Sequence, residues 1–375
     1  MSYINFNNAG SSYLTEKTQK IVKDFFDYEN IVGGYNAENL FKNKLNEFYF
    51  NASKLINCDP KEISFLQNST YAWNFFLNSI HFRKDDNVVI LDNEYGSNLI
   101  GILNKKINHK ISKINTNGQV CFEDLKSKID KKTKIVFACH IASQCGDVIE
   151  IEKIGKLLKK INENIIFVVD ACQSIGQVNI DVKKQKFDVL VGSGRKYLRG
   201  PRGTGLLYVN KNIKTKISPF ILDIKNCLVK KGKIFIKKNS PLFEVFEYSP
   251  ALKLGLSNAI ADVNKIGIKK IEEKIKKLSI FFLKEMKSFS QLVFHENSKL
   301  NIGINTFSIK GINSCLIYDY LLKNKILTSI SNSQTSMPYF EKKKINSVIR
   351  VSFHYYNKLE EVKKLKKCLI DLIKK

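Results

Sequence analysis

Residues 165–208 read IIFVVDACQSIGQVNIDVKKQKFDVLVGSGRKYLRGPRGTGLLY. Two short apolar runs inside this stretch, 165–169 and 189–191, have the length and β-branched content of buried strands. The first ends in a carboxylate, Asp170. The second runs into Ser193-Gly194-Arg195-Lys196 and then a loop of glycine, proline and arginine. Open α/β sheets gather their reactive groups outside the carboxyl ends of the strands. Asp170 and Lys196 are therefore expected to face one crevice.

An acid at one strand end and a lysine after the next form the pair that a pyridoxal phosphate enzyme needs. The lysine forms a Schiff base with the aldehyde. The acid keeps the pyridine nitrogen protonated, so that the ring draws electrons from the substrate's Cα. Alone, the pair also fits an aspartate capping a helix and a solvated Gly-Arg-Lys turn. The neighbouring residues add specificity. VVDACQSIGQ followed by SGRKYLRGPRGTG resembles the class V aminotransferase superfamily, cysteine desulfurase-like, which has a D-x-x-Q segment, an S-x-[HR]-K segment and a Gly-Pro-Gly loop. The resemblance implies the α/β fold of fold-type-I pyridoxal phosphate enzymes. That fold has a large domain with a mostly parallel sheet and a small C-terminal α/β domain. Pyridoxal 5′-phosphate is the implied cofactor. The expected division is an N-terminal segment over 1–15, a large cofactor-binding domain over 16–255, and a linking helix with the small domain over 256–375.

Composition agrees with a large α/β body. The chain has 375 residues, 43% of them hydrophobic, enough for a substantial core. No run approaches the ~20 apolar residues needed to span a bilayer. The N-terminus, MSYINFNNAG, has neither the basic nor the apolar region of a signal peptide. The eight cysteines include no C-x-x-C and no Cys/His cluster with zinc spacing, so reduced thiols and a cytoplasmic location are expected, with no metal. The net charge of +27 invites a nucleic-acid reading. Only five residues are arginine, however: Arg83, Arg195, Arg199, Arg202 and Arg350. A recognition face concentrates arginine, whereas this is a lysine-rich solvated surface. Three of the five lie beside Lys196, where a rigid forked donor is useful.

Along the chain, helical periodicity covers 15–28 and 38–56 with Gly33-Gly34 between them, and a short strand covers 63–66. Gln67-Asn68-Ser69-Thr70 then leads into an apolar helix. Such a helix start takes a Ser or Thr cap and also attracts anions. Strand 88–91 ends at Asp92-Asn93-Glu94-Tyr95-Gly96-Ser97-Asn98, and strand 134–139 at His140-Ile141-Ala142-Ser143. A helix over 151–161 returns the chain to the opening stretch. Strand–helix alternation over 88–209 implies right-handed crossovers and a largely parallel sheet. Residues 212–240 read as a lysine-rich surface excursion, and 250–289 as one long helix. Strands at 304–309, 326–330 and 348–354 then alternate with helices at 314–324 and 359–373.

By the resemblance, Ser69 and Thr70 hold the cofactor phosphate together with Ser193 and Arg195. Gln173 and Ser143 approach the ring hydroxyl, and Asp170 the ring nitrogen. Tyr95 takes the place where cysteine desulfurases stack a histidine; a tyrosine can also stack, with a modest gain, but supplies no imidazole. His140 either opens an H-x-x-[NST] turn like the superfamily's, which ends at Ser143, or is a packed strand-end histidine. Asn7-Asn8-Ala9-Gly10 is similar to starts lying near the substrate pocket, which marks Asn8, while Arg350 matches the arginine that forks onto a substrate α-carboxylate. Arg199 and Arg202 either hold a second anion or support their loop. Residues 241–248, PLFEVFEY, are similar to an R-F-E-x-x-E segment, with Leu242 in place of arginine.

The reaction has to be read from departures. Cysteine desulfurases carry a nucleophilic cysteine before the last strand, and the matching stretch 331–338, SNSQTSMP, has none. A hydroxyl does not replace a thiolate's sulfur chemistry. S-T-x-A-W, N-E-Y-x-S-N and the arginine-rich loop resemble the branch containing hercynylcysteine sulfoxide lyases and related C–S lyases. The expectation is β-elimination from a cysteine-derived amino acid, with Lys196 moving protons at Cα. An aminotransferase, an isopenicillin-N-epimerase-like racemase and a non-enzymatic pyridoxal-fold binding protein are the alternatives. Relatives are usually homodimers with sites at the interface, so the resemblance implies a homodimer, and no membrane or nucleic-acid partner is expected.

Overall fold

The computed structural model describes residues 3–237, 242–296 and 302–374. Strand β1 (Ile4–Asn5) is followed by helices α1 (Glu16–Val32) and α2 (Gly34–Ile56). The two helices part at Gly33, as their sequence periodicity requires. A central sheet then forms from β2 (Ile63–Leu66), β3 (Asn87–Leu91), β4 (Asn108–Ser112), β5 (Thr133–Cys139), β6 (Ile166–Asp170), β7 (Val189–Ser193) and β8 (Gly205–Val209). Helices α3 (Ser69–Asn78), α4 (Gly96–Asn104), α5 (Phe122–Lys128), α6 (Ile151–Ile161) and α7 (Val182–Gln185) connect them.

The strand order is β2-β8-β7-β6-β5-β3-β4. The pairs from β4 through β7 are parallel; β8 runs antiparallel to both β7 and β2. The middle strands are buried apart from Lys134 at the start of β5, which is why they read as apolar runs rather than alternating ones. Apolar layers cover both faces. One includes Phe48, Val136, Phe167, Leu190 and Ile260, the other Trp73, Ile90, Phe137 and Val168. Trp73 stacks on Phe137 with ring centroids 4.4 Å apart. Register places Asp170 opposite Cys139 and Val191, so the ends of β5, β6 and β7 open together.

The excursion after β8 is more ordered than its sequence implies. Residues Cys227–Lys230 (β9) and Lys233–Ile236 (β10) form an antiparallel hairpin. Residues 238–241, which include Pro241 of the PLFEVFEY segment, lie outside the described residues. The long helix expected over 250–289 is two helices, α8 (Pro250–Ile266) and α9 (Ile268–Met286). Gly267 separates them at φ 88°, a left-handed conformation that only glycine adopts without strain. Apolar periodicity continues across that break, so the pattern alone conceals it.

The C-terminal elements are β11 (Leu292–Phe294), β12 (Ile304–Ile309), α10 (Ser314–Lys323), β13 (Ile326–Leu327), β14 (Ser329–Asn332), α11 (Met337–Lys343), β15 (Ser347–Ser352) and α12 (Leu359–Ile373). Strands β11-β12-β15-β14 make an antiparallel sheet over a core that includes Phe282, Phe307 and Leu365. The run 326–330 divides. β13 pairs in parallel with β1, tying the N-terminus to this part, while β14 joins the sheet. Among the described residues, no helix is long and apolar enough to cross a membrane.

Candidate active site

A cavity of about 290 Å³ opens where β5, β6 and β7 end. Its walls include Ser69, Thr70, Tyr95, Ser143, Asp170, Gln173, Arg195 and Lys196, eight of the eleven site residues marked in the sequence. Gln67, Asn68, Cys139, Cys172, Arg202 and Gly203 complete it.

Asp170 closes β6 and is buried. Its Oδ1 accepts the Cys172 backbone N–H at 2.8 Å, and its Oδ2 accepts Asn98 Nδ2 at 2.8 Å. Both oxygens are thus held in place by N–H donors. Lys196 follows β7 onto the same cavity. Burial of its amine pushes its pKa down; Cys172 opposes this and Arg195 adds to it. Such an amine carries less of its proton at neutral pH than an exposed lysine does, as suits a base.

The helix start at α3 is arranged differently from the expected Ser/Thr cap. Asn68 is the cap, its side chain accepting the Tyr71 N–H at 2.8 Å. Ser69 and Thr70 are therefore the first two helical residues, and they line the cavity. Backbone N–H groups at such a position lack partners within the helix and attract anions. Arg195 stands across the same cavity, its Nη1 donating to Ser193 Oγ at 2.9 Å. Ser193 itself is buried and absent from the cavity wall. Its hydroxyl accepts from the arginine and so helps to orient it.

Two further assignments change. Asn8 is fully buried and spent on structure. Its Nδ2 donates to Asn5 O, Ser352 O and Asn357 Oδ1, and its Oδ1 accepts the Tyr356 hydroxyl. It has no polar atom left for a substrate. Asn7 is the neighbour that reaches inward, its Oδ1 accepting Arg350 Nη2 at 3.4 Å. Arg199 proves to be a support. Its guanidinium donates to Tyr13 O, Leu14 O and the Tyr355 hydroxyl and lies over the Tyr356 ring. Arg202, by contrast, is exposed on the cavity wall.

Arg350 projects from β15, buried, with Nη1 donating to Ser143 O at 3.1 Å. Its Nε is buried without a partner. His140 packs at the end of β5, where burial pushes its pKa down to about 4 and leaves it neutral. Glu94 and Asn98 are the site residues that sequence reasoning passed over. Both fall in the quoted D-N-E-Y-G-S-N stretch, four positions apart at a helix start, a spacing that brings two side chains together.

These residues fit pyridoxal 5′-phosphate. Gln173 is anchored by Nε2 on Ala9 O at 3.1 Å, while its buried Oε1 lacks a partner. That orphan acceptor suits a ring hydroxyl. The α3 start with Arg195 suits a phosphate dianion, and Asp170 a protonated ring nitrogen.

Comparison with known proteins agrees with the fold and the cofactor. The family described as aminotransferase class-V matches residues 3–365. A probable cysteine desulfurase of Pyrococcus abyssi (strain GE5 / Orsay) is 31% identical over 335 residues, covering 85% of this chain and 80% of that protein. Another probable cysteine desulfurase, from Borreliella burgdorferi, is 31% identical over 365 residues, covering 94% and 79%. The apo structure of a cysteine desulfurase from Thermococcus onnurineus NA1 superposes with a TM-score of 0.91 at 25% identity, covering 99% and 95% of the two chains. A cystine C–S lyase, C-DES, in complex with its reaction product cysteine persulfide superposes with a TM-score of 0.89 over 98% and 97%. At 19% identity, that likeness speaks for the fold alone.

Proposed function

Because this chain belongs to the class-V aminotransferase family, whose enzymes use pyridoxal 5′-phosphate, we propose that it cleaves the C–S bond of a cysteine-derived amino acid by β-elimination. We place it near the hercynylcysteine sulfoxide lyase branch. The overall change balances as R–S–CH₂–CH(NH₃⁺)–COO⁻ + H₂O → RSH + pyruvate + NH₄⁺. Desulfuration differs in needing a protein thiol, which takes the sulfur as a persulfide and leaves alanine.

The observation that carries the choice is the chemistry of the segment packed beside the site, against the residue after Tyr95. Residues 331–338 come against the start of α4, where Gly96 N donates to Thr335 O at 2.8 Å. A Cβ at Gly96 would lie 2.4 Å from Gln334 O, so the approach is close. This segment offers hydroxyls, amides and a thioether, and no thiol. The thiols on the cavity wall are Cys139 and Cys172. Burial, with Asp170 beside them, raises both thiol pKa values well above the usual range. Thiols held protonated are poor nucleophiles.

Pyridoxal 5′-phosphate supplies an aldehyde for the substrate amine and a ring that withdraws electrons from Cα. The protein does the rest. Asp170, aimed by Asn98 and Cys172 N, would hold the proton on the ring nitrogen. The α3 start and Arg195 would hold the phosphate. Gln173 Oε1 would accept from the ring hydroxyl, and Tyr95 on the cavity wall would offer its ring to the cofactor. Arg350 orients the substrate carboxylate, which sets the Cα proton towards Lys196. Lys196 takes that proton as its amine, and the sulfur then leaves as a thiol.

Incubating the loaded protein with S-substituted cysteines, their sulfoxides and cystine tests this. Pyruvate and ammonium in equal amounts are expected. Alanine with a protein-bound persulfide favours the desulfurase reading that the relatives' names suggest. A ketoacid that retains the sulfur, with pyridoxamine phosphate left on the protein, favours transamination.

We propose further that the protein is a homodimer. Hairpin β9–β10 exposes Leu228, Val229, Ile234 and Phe235, more apolar surface than a small two-stranded element carries when alone in water. Sedimentation of the full chain, compared with a Val229→Glu/Phe235→Glu variant, reads this out. A monomer in both refutes it.

A further inference from the structure

Asp170 has a carboxylate neighbour that the mechanism leaves unused. Glu94, fully buried just before α4, brings one oxygen into a cluster with Cys139 Sγ and an Asp170 oxygen, all within 4.8 Å of one another. The side-chain amide of Asn98 joins the two acids. Its Nδ2 donates to Glu94 Oε1 at 2.9 Å and to Asp170 Oδ2 at 2.8 Å. An amide nitrogen carries two hydrogens, so both are committed. Asn98 is held in turn, its backbone oxygen accepting Trp73 Nε1 at 3.1 Å. The result is a strut running from Trp73 through α4 to the two carboxylates.

We propose that Glu94 is a positioning residue for Asp170: it remains a neutral acid while Asp170 carries the charge, and through Asn98 it sets the direction and strength of Asp170's hold on the ring nitrogen. This rests on the pyridoxal phosphate site described above, but not on which reaction follows there.

Two buried carboxylates that share one donor do not both ionise readily. Each oxygen of Asp170 accepts an N–H. Glu94 Oε1 accepts Tyr95 N at 2.8 Å and Asn98, but its Oε2 is buried with no hydrogen-bond partner. That is a costly place for half a negative charge. Burial first, then the Asp170 charge, push the Glu94 pKa up to about 8, against hydrogen bonds from Asn98 and the nearby backbone. The ionisable groups around the cluster are Asp170 on β6, Cys139 on β5, and Cys172 and Lys196 from the segments after β6 and β7. Asp92, two residues earlier, is paired with Lys342 at 2.7 Å.

Ionisation of Glu94 would place a second negative charge beside Asp170. That charge would favour the protonated form of every basic group in the cavity. The cofactor's own titration should therefore be coupled to Glu94. The test uses the full chain loaded with pyridoxal 5′-phosphate, its absorption followed over roughly pH 6 to 10, in wild type, Glu94→Gln and Asn98→Ala. Glu94→Gln keeps an acceptor for Asn98 but cannot ionise. Its spectral midpoint should move down by about half a unit or more, and the transition should narrow to one step. Asn98→Ala, which removes the strut, should weaken cofactor retention about tenfold. A Glu94→Gln titration that superimposes on the wild type overturns the proposal. A second measurement needs neither cofactor nor turnover. In the apoprotein, the carboxyl ¹³C resonance that Glu94→Gln removes should titrate near pH 8; a midpoint in the ordinary carboxylate range overturns the proposal. Failure of the elimination reading leaves both readouts intact. Failure of cofactor binding shows instead as no cofactor spectrum in the wild type.

Discussion

Replacing Arg350 by lysine keeps a charge on β15 and removes the fork. In the folded chain Nη1 is used on Ser143 O at 3.1 Å and Nη2 reaches Asn7 Oδ1 at 3.4 Å, while the buried Nε has no partner. A substrate carboxylate therefore finds Nε and the remaining Nη hydrogens available for two parallel bonds. Each charge-assisted bond contributes about 1.5–3 kcal/mol. Lysine supplies one such bond from a shorter reach, so Arg350→Lys should lose about 2 kcal/mol, roughly thirtyfold in kcat/KM. The loss should lie mainly in KM, because the carboxylate is bound alike before and during the reaction. Turnover of an S-substituted cysteine gives the kinetic half of the test. The other half is the ratio of dissociation constants for ethylamine and L-alanine, read from the cofactor's absorption. The wild type should prefer alanine strongly, and the variant's preference should shrink by about the same thirtyfold. Urea unfolding of the variant controls for the partner that Ser143 O loses. Unchanged discrimination between alanine and ethylamine in a folded Arg350→Lys protein refutes the carboxylate role.

Three other outcomes follow from the geometry. Lys253 is buried among Phe48, Tyr49, Phe65 and Tyr248, its amine bonded to the Tyr49 hydroxyl at 2.7 Å and 3.7 Å from Glu244; burial lowers its pKa from 10.5 to about 8. The folded state thus holds fewer protons than the unfolded state between those values, so stability to urea should rise as pH rises from 8 to 10.5. The gain is about 3 kcal/mol at most, and it should be missing in Lys253→Met. Iodoacetamide at neutral pH should label exposed Cys315 while sparing buried Cys139 and Cys172 in the folded protein. Gly96→Ala puts a Cβ 2.4 Å from Gln334 O, so residues 332–336 must shift; hydrogen exchange there should quicken and kcat/KM fall about tenfold.

The central sheet was legible because its strands are buried on both faces and its helices keep a 3.6-residue period. The crevice was legible because Asp170 and Lys196 each end or follow one of those strands. What stayed hidden depends on three-dimensional partners. Asn8 looked like a substrate residue, yet its four hydrogen bonds reach residues 5, 352, 356 and 357, distant in sequence except for the first. Ser193 sits two residues from Arg195, and only the folded chain shows its hydroxyl oxygen accepting from the arginine. The cap at α3 went to Asn68 rather than to its neighbours because helix starts are blurred by a residue or two in sequence. The α8–α9 break was invisible because a glycine at positive φ need not interrupt the apolar pattern. Glu94 was quoted as part of a strand end; its meaning came from Asn98 and Asp170 meeting it across the sheet.

The fate of the carbon skeleton tests the account most directly. Loaded protein in excess over [3-¹³C]cysteine, quenched within one turnover and read by NMR, gives the products without amplification. The account predicts the label in the methyl group of pyruvate, with ammonium and sulfide released in equal amounts. Label in the methyl group of alanine, with a persulfide on a protein cysteine, contradicts it.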